Sequence, residues 1–168
     1  MNDQTHATGA TLAQITQDLP RLIERMHRRF LDVLRIELTR HGINDISPVQ
    51  AMMLANIGDE EISVRDLIER GYYLGSNASY NLKNLVDGGY VERHASERDR
   101  RAARLKVSDK GRAILDALKN LNTQTTDTLL KQESEQRDLE ATYRILRRLE
   151  HRWSDSIRFA DKGTSEEF

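Results

Sequence analysis

Apolar positions in this chain follow two rhythms, and the change between them sets out the architecture. From Leu19 to Arg40, residues Leu22, Ile23, Met26, Phe30, Val33, Leu34 and Leu38 recur at helical spacing, which predicts an amphipathic helix. Leu12, Ile15 and Leu19 carry the same character upstream as an arm, and Pro20 suits the first turn of the helix, where its missing N–H costs nothing. His41-Gly42 supplies the stop. Ser47-Pro48-Val49-Gln50 is a start signal: a capping serine, a proline at the first helical position and a glutamine that completes a capping box. The helix Pro48–Ile57 follows and stops at Gly58. Ile62 then offers a single bridging strand residue, and Ser63 caps a short helix that ends at Gly71. After the turn at Tyr72–Gly75, a third short helix, Ser76–Asp87, places Ala78, Leu82 and Leu85 on one face and ends at Gly88-Gly89.

Beyond that point the period falls to two. Tyr90–His94 and Ala103–Val107 alternate around a charged tip, which predicts a β-hairpin. Ser108 caps a helix bearing Ile114, Leu115, Leu118, Leu121, Leu129 and Leu130, and a last helix bears Leu139, Tyr143, Leu146, Leu149, Trp153 and Ile157. The start, Met1–Thr11, reads as a frayed polar segment, and Asp161–Phe168 as an acidic tail. The fold class is mostly α: a winged helix-turn-helix with a small antiparallel β-hairpin wing, set between long N- and C-terminal dimerisation helices. The corresponding division is 1–46 for the N-terminal arm and dimerisation helix, 47–107 for the winged domain, and 108–168 for the C-terminal dimerisation helices and tail. Dimerisation enters on physical grounds. The leucine-rich stripes exceed what a small winged domain covers, and left exposed they would aggregate. A second copy is expected to bury Leu12, Ile15, Leu19 and Leu22 together with Leu139, Tyr143, Leu146, Trp153 and Ile157.

Composition narrows the function. The 168 residues carry 26 Lys and Arg against 27 Asp and Glu, a net charge of −1, so the chain is no uniform polycation. Locally the balance differs: Tyr90–Arg112 holds eight basic residues against four acidic ones, a formal +4. The absence of cysteine excludes disulfides, thiolate metal sites and thiol nucleophiles. The first residues lack a signal pattern and no apolar run approaches the roughly 20 residues of a membrane span, so a cytoplasmic protein without membrane contact is expected. The five histidines show no HExxH or i,i+4 His pairing, and Asp59-Glu60-Glu61 reads as a solvated acidic turn. With no nucleophile–base pair and no phosphate loop, the expectation is no enzyme, no metal and no cofactor.

The arrangement instead suits double-stranded DNA. In a helix-turn-helix the second helix enters the major groove. Its outer face here offers Ser76, Asn77, Ser79, Tyr80, Lys83 and Asn84, side chains that hydrogen-bond base edges or phosphates without bringing a carboxylate. Arg65, on the preceding short helix, joins this set. At the hairpin tip Arg98, Arg100, Arg101 and Arg104 are placed to reach a narrow minor groove and its phosphates. Asp99, an acid among them, is expected to turn inward and hold an arginine.

The segment from Asp99 to Gly111 resembles the wing signature of the MarR (multiple-antibiotic-resistance regulator) family, with Asp99, Arg101, Leu105, Ser108 and Gly111 at matching offsets. Leu82, Leu85, Gly89 and Val91 resemble the preceding recognition-helix pattern, and the helix order agrees over nearly the whole chain. The turn Gly71-Tyr72-Tyr73-Leu74-Gly75 departs from the family's common spacing of small and apolar residues. The resemblance implies an obligate homodimer on a palindromic operator, usually a repressor, with a small-molecule effector bound between the dimer helices and the winged domain. It also implies that Asp99 and Arg101 orient the wing while Arg98 or Arg100 reaches the minor groove. A winged domain used for protein contact, without DNA, is the competing reading.

Overall fold

The computed structural model describes residues 10–71, 73, 75–95 and 103–163. The first helix, α1 (Leu12–Arg40), starts earlier than the stripe alone predicts. Thr11 is no frayed residue but the cap. Its hydroxyl accepts the Gln14 N–H at 3.3 Å, and the Gln14 side chain accepts the Thr11 N–H at 2.7 Å. Pro20 consequently lies inside the helix rather than in its first turn. An interior proline removes one backbone bond and costs about 3 kcal/mol. The capping box satisfies donors at the new start and keeps the turns ahead of Pro20 helical.

The winged core follows in order: α2 (Pro48–Ile57), β1 (Ile62–Ser63), α3 (Val64–Gly71), α4 (Gly75–Asp87), β2 (Val91–Ala95) and β3 (Ala103–Val107). The Ser47 capping box on α2 forms as its sequence predicts, and Gly58 closes the helix at φ 71°, a conformation that favours glycine. Ser63 and Asp66 cap α3 reciprocally, each side chain accepting the other's N–H. β1 is a two-residue strand rather than a one-residue bridge, because Ser63 as well as Ile62 pairs with β3. The sheet is antiparallel in the order β1-β3-β2, so β3 is central. Leu105 therefore stands opposite both Ile62 and Arg93 and is fully buried. Around it pack Leu54, Ile57, Leu67, Leu82, Leu85 and Ile114, and the carboxyl-terminal end of α1 adds Leu34 and Leu38.

Helix α5 (Asp109–Leu129) is docked by its first turn. The Ser108 hydroxyl donates to the Gly89 carbonyl at 2.6 Å and accepts the Gly111 N–H at 3.1 Å. The Ser108 N–H donates to the Tyr90 carbonyl. A Cβ on Gly111 would fall 2.4 Å from that carbonyl oxygen and 2.6 Å from Val107, so only glycine lets α5 approach this closely. The serine and glycine of the wing signature thus hold α5 against the end of the α4–β2 turn. The chain divides into two compact units, Met1–Leu121 and Asn122–Phe168. The second contains the end of α5 and α6 (Glu133–Gly163), whose helix runs past Asp161, where the sequence suggested a tail. None of its described residues is buried.

Candidate nucleic-acid interface

Helix α4 is divided by its own periodicity. Ala78, Leu82 and Leu85 are buried, while Ser76, Asn77, Ser79, Tyr80 and Lys83 are exposed and Asn84 is half-buried. Tyr80, 67% exposed, is the largest of the outward side chains. An aromatic this open presents its ring to solvent, where it can meet a base or sugar. The face is not free of carboxylate, as its first six polar positions suggest. Asp87 lies one turn beyond Lys83 and holds its ammonium at 2.5 Å. That contact raises the Lys83 pKa above its usual 10.5. Both partners are largely exposed, and such pairs contribute little and exchange readily. Lys83 is therefore positioned by Asp87 and can be handed to a phosphate.

Arg65 stands on α3 with its guanidinium on Glu69 at 2.8 Å, which raises its pKa. Arg104 lies in β3, not at the hairpin tip. It pairs across with Ser63 on one side and His94 on the other, and is only half-exposed. The ladder alternation puts it on the sheet face opposite Leu105. Asp66 feels its charge, though the Ser63 hydrogen bond is the main cause of the lowered Asp66 pKa. Arg98, Asp99, Arg100 and Arg101 lie outside the described residues.

One residue escaped the sequence reading. Arg93 counted only towards the basic balance of its segment, yet β2 brings it to a cleft of about 280 Å³ with Val64, Ser79, Leu82, Lys83, Val86 and Asp87. It faces the same side of the sheet as Leu105 but emerges beyond the core, beside the outer face of α4. Strand alternation was the available signal: Arg93 lies two residues from Val91 and so shares the face of that buried side chain. The structure thus brings Ser79, Lys83 and Arg93 together and leaves Arg104 on the far face of the hairpin. Tyr73, in the turn that departs from the family spacing, is a packing residue. Its hydroxyl accepts the Asn56 amide at 2.8 Å, and a Cβ on Gly71 would lie 2.0 Å from its ring. Burial raises the Tyr73 pKa. Tyr72 lies outside the described residues.

Comparison with known proteins agrees with this architecture. Residues 44–102 match the model of the MarR family. Over 142 residues the chain is 44% identical to the exopolysaccharide II synthesis transcriptional activator ExpG of Rhizobium meliloti strain 1021, covering 84% of this chain and 73% of that protein. Among solved structures it is similar to the transcriptional regulator BldR of Sulfolobus solfataricus, with a TM-score of 0.65 and 22% identity over 83% of this chain and 99% of that one. FabT of Streptococcus pneumoniae, in complex with DNA, gives a TM-score of 0.63 and 26% identity over 82% and 99%. A mutant MarR from E. coli complexed with operator DNA gives 0.61 and 22% over 82% and 99%. No helix among the described residues is long and apolar enough to cross a membrane. With 44% identity over 84% of its length to a transcriptional activator and a matching winged-helix fold, the chain belongs to the MarR family and is a DNA-binding transcription regulator.

Proposed function

We propose that this protein acts in the cytoplasm as a homodimer that reads a palindromic DNA site and is modulated by a small-molecule effector. The observation that carries the reading is the outer face of α4, where Ser76, Tyr80 and Lys83 lie exposed on a helix whose opposite side is fixed by Ala78, Leu82 and Leu85. Beside it, Arg93 adds a second cation to the cleft with Lys83 and Ser79. Base contacts come from Ser76, Asn77, Ser79, Tyr80 and Asn84, and phosphate contacts from Lys83, Arg93 and Arg65. The wing residues Arg98, Arg100, Arg101 and Arg104, oriented by Asp99 and Arg101, extend the footprint. The functional division is 1–46, 47–107 and 108–168.

Homodimerisation is supported by exposed apolar side chains on each long terminal helix: Leu12, Ile15 and Leu22 on α1, and Leu139, Tyr143, Trp153 and Ile157 on α6. Two-fold symmetry would set the paired recognition helices about 34 Å apart, one turn of DNA. The sequence suggested repression. The 44% identical relative carries the name of an activator of exopolysaccharide II synthesis, which favours activation, and genes of exopolysaccharide synthesis as first targets to examine. The family supports an effector.

Footprinting of DNA upstream of the gene and of exopolysaccharide genes tests the reading, followed by affinity measured against salt. A protected palindrome is expected. Lys83→Ala and Arg93→Ala should each weaken binding and reduce the slope of log K against log salt by about 0.9, the value of one phosphate contact. No protected site, or slopes unchanged in both variants, would overturn it. A reporter fused to the protected promoter, compared with and without the gene, decides activation against repression.

A further inference from the structure

Three segments distant in sequence meet where the recognition helix ends. Asp45 lies in the linker between α1 and α2, Tyr90 follows the glycine turn after α4, and Lys110 sits in the first turn of α5. The Tyr90 hydroxyl donates to Asp45 Oδ1 at 2.5 Å. Lys110 Nζ donates to Asp45 Oδ2 at 3.1 Å and to the Gly88 carbonyl at 2.9 Å. The same ammonium stands 3.9 Å from the centre of the Tyr90 ring. The ring is buried, while the two charged groups are about half exposed.

An exposed ion pair contributes little to stability, so the cluster's value to the fold is small. Its geometry is another matter. One ammonium binds a carboxylate from the linker, a carbonyl from the turn that ends α4, and an aromatic ring from the residue just before β2. A tilt of the end of α4 against α5 would stretch or break these contacts together. Lys110, unlike Lys83, is also bound to the Gly88 carbonyl and the Tyr90 ring, so turning it to a phosphate would break more than one exposed ion pair. Networks of this kind couple their members more strongly than isolated pairs.

We propose that Asp45, Tyr90 and Lys110 form a positioning node that sets the attitude of the recognition helix and thereby its affinity for a specific duplex. This rests on the DNA-reading role of α4 stated above. Base contacts need alignment, whereas contacts to the phosphate backbone tolerate a small tilt. The node therefore bears on specific binding and leaves non-specific binding alone.

The test uses the full-length chain and two fluorescein-labelled duplexes of equal length, one carrying the footprinted palindrome and one a scrambled sequence. Tyr90→Phe, Asp45→Asn, Lys110→Met and the Asp45→Asn/Lys110→Met double variant are titrated at several salt concentrations, far below their melting temperatures. Each single variant should bind the palindrome roughly fivefold to tenfold more weakly, in the range of ordinary coupling effects. The double variant should lose little more than either single one, because the contacts act as a unit. Salt slopes and affinity for the scrambled duplex should stay at wild-type values, and Lys110→Arg should restore much of the loss. Faster hydrogen exchange of the last turn of α4 in Lys110→Met reports the loosened helix independently of DNA.

Unchanged palindrome affinity in all three single variants overturns the node. So does a slope flattened by about 0.9 in Lys110→Met, which would make Lys110 a direct phosphate contact. Equal losses on both duplexes overturn it as well, since they indicate general unfolding. Wild-type protein that binds neither duplex preferentially would instead overturn the DNA-reading role of α4, and this proposal with it.

Discussion

The unit Met1–Leu121 and the helix α6 in Asn122–Phe168 are both built on leucine at helical spacing, yet they bury it differently. In the first, Leu54, Leu67, Leu85, Leu105 and Ile114 are all but inaccessible. In the second, Leu139, Tyr143, Ile145, Trp153 and Ile157 remain exposed. Amphipathic periodicity states only that a face wants cover; it does not say from where. In the winged unit the cover comes from short helices and a three-stranded sheet that fold over one another. On α6 these apolar side chains stay exposed among the described residues, an open face of the kind that a partner can cover. The comparison separates residues that make the fold from residues offered outward.

The widest gap should appear when one buried residue is removed. Leu105→Ala empties the position where β1, β2 and β3 meet, so neighbours from three strands cannot collapse into it together. A loss of about 2–5 kcal/mol in unfolding free energy is expected. Urea denaturation followed by circular dichroism measures it. A loss under about 1 kcal/mol would break the distinction between a closed core and an open helix, since such values are ordinary for surface positions.

On α6 the corresponding change should act on association. Trp153→Ala removes a large aromatic that is 43% exposed. If the stripe is an interface, aromatic anchors of this kind carry about 2 kcal/mol or more of binding, which weakens the dimer by roughly thirtyfold. Sedimentation equilibrium over a range of concentrations reads the shift directly. Wild-type protein that sediments as a monomer throughout, or a variant that associates as tightly as wild type, would remove α6 from the proposed dimer.

How much of this was legible in the sequence depends on the range of the forces involved. Ser47-Pro48-Gln50 and Ser63 declare their helices because a cap acts within one turn, and α2 begins and ends where its signals place it. The same local rule misled at Pro20, whose preference for a first turn masked the Thr11–Gln14 capping box upstream. Arg93 was missed because its face depends on strand register, and the partner that fixes the register, Leu105, belongs to the other arm of the hairpin. The contacts of Asp45 with Tyr90 and Lys110 span 45 and 65 positions. No periodicity encodes such pairs; they follow only once the linker, the α4–β2 turn and α5 have come together. Of the five wing residues that carried the family resemblance, Asp99 and Arg101 lie outside the described residues, and the structure gives physical content to the others, Leu105, Ser108 and Gly111.

The smallest effect concerns a place where the winged unit is held by a charged cluster as well as by burial. The Tyr90 hydrogen bond, helped by Lys110, holds the Asp45 carboxyl below its ordinary value of 3.8. A carboxylate whose pKa is depressed on folding stabilises the fold above its unfolded value, and that contribution fades as pH falls from there through the folded value. At the alkaline end, burial and then the Asp45 bond raise Tyr90 above 10.0, while the Tyr90 phenol and Asp45 raise Lys110 above 10.5. Groups raised on folding contribute fully below their unfolded values and lose that contribution as pH rises through the folded ones. The node is therefore at full strength across neutral pH and weakens at both extremes. Asp45→Asn should shrink the loss of stability between pH 7 and pH 3, because asparagine has no proton to gain. Urea midpoints at the two pH values, compared between wild type and variant, measure the difference. Asp45 is well exposed, so water screens it and the change should be modest beside Leu105→Ala. Identical acid profiles would mean that the carboxylate draws nothing from Tyr90 and that the cluster adds no charge-dependent stability to the winged unit.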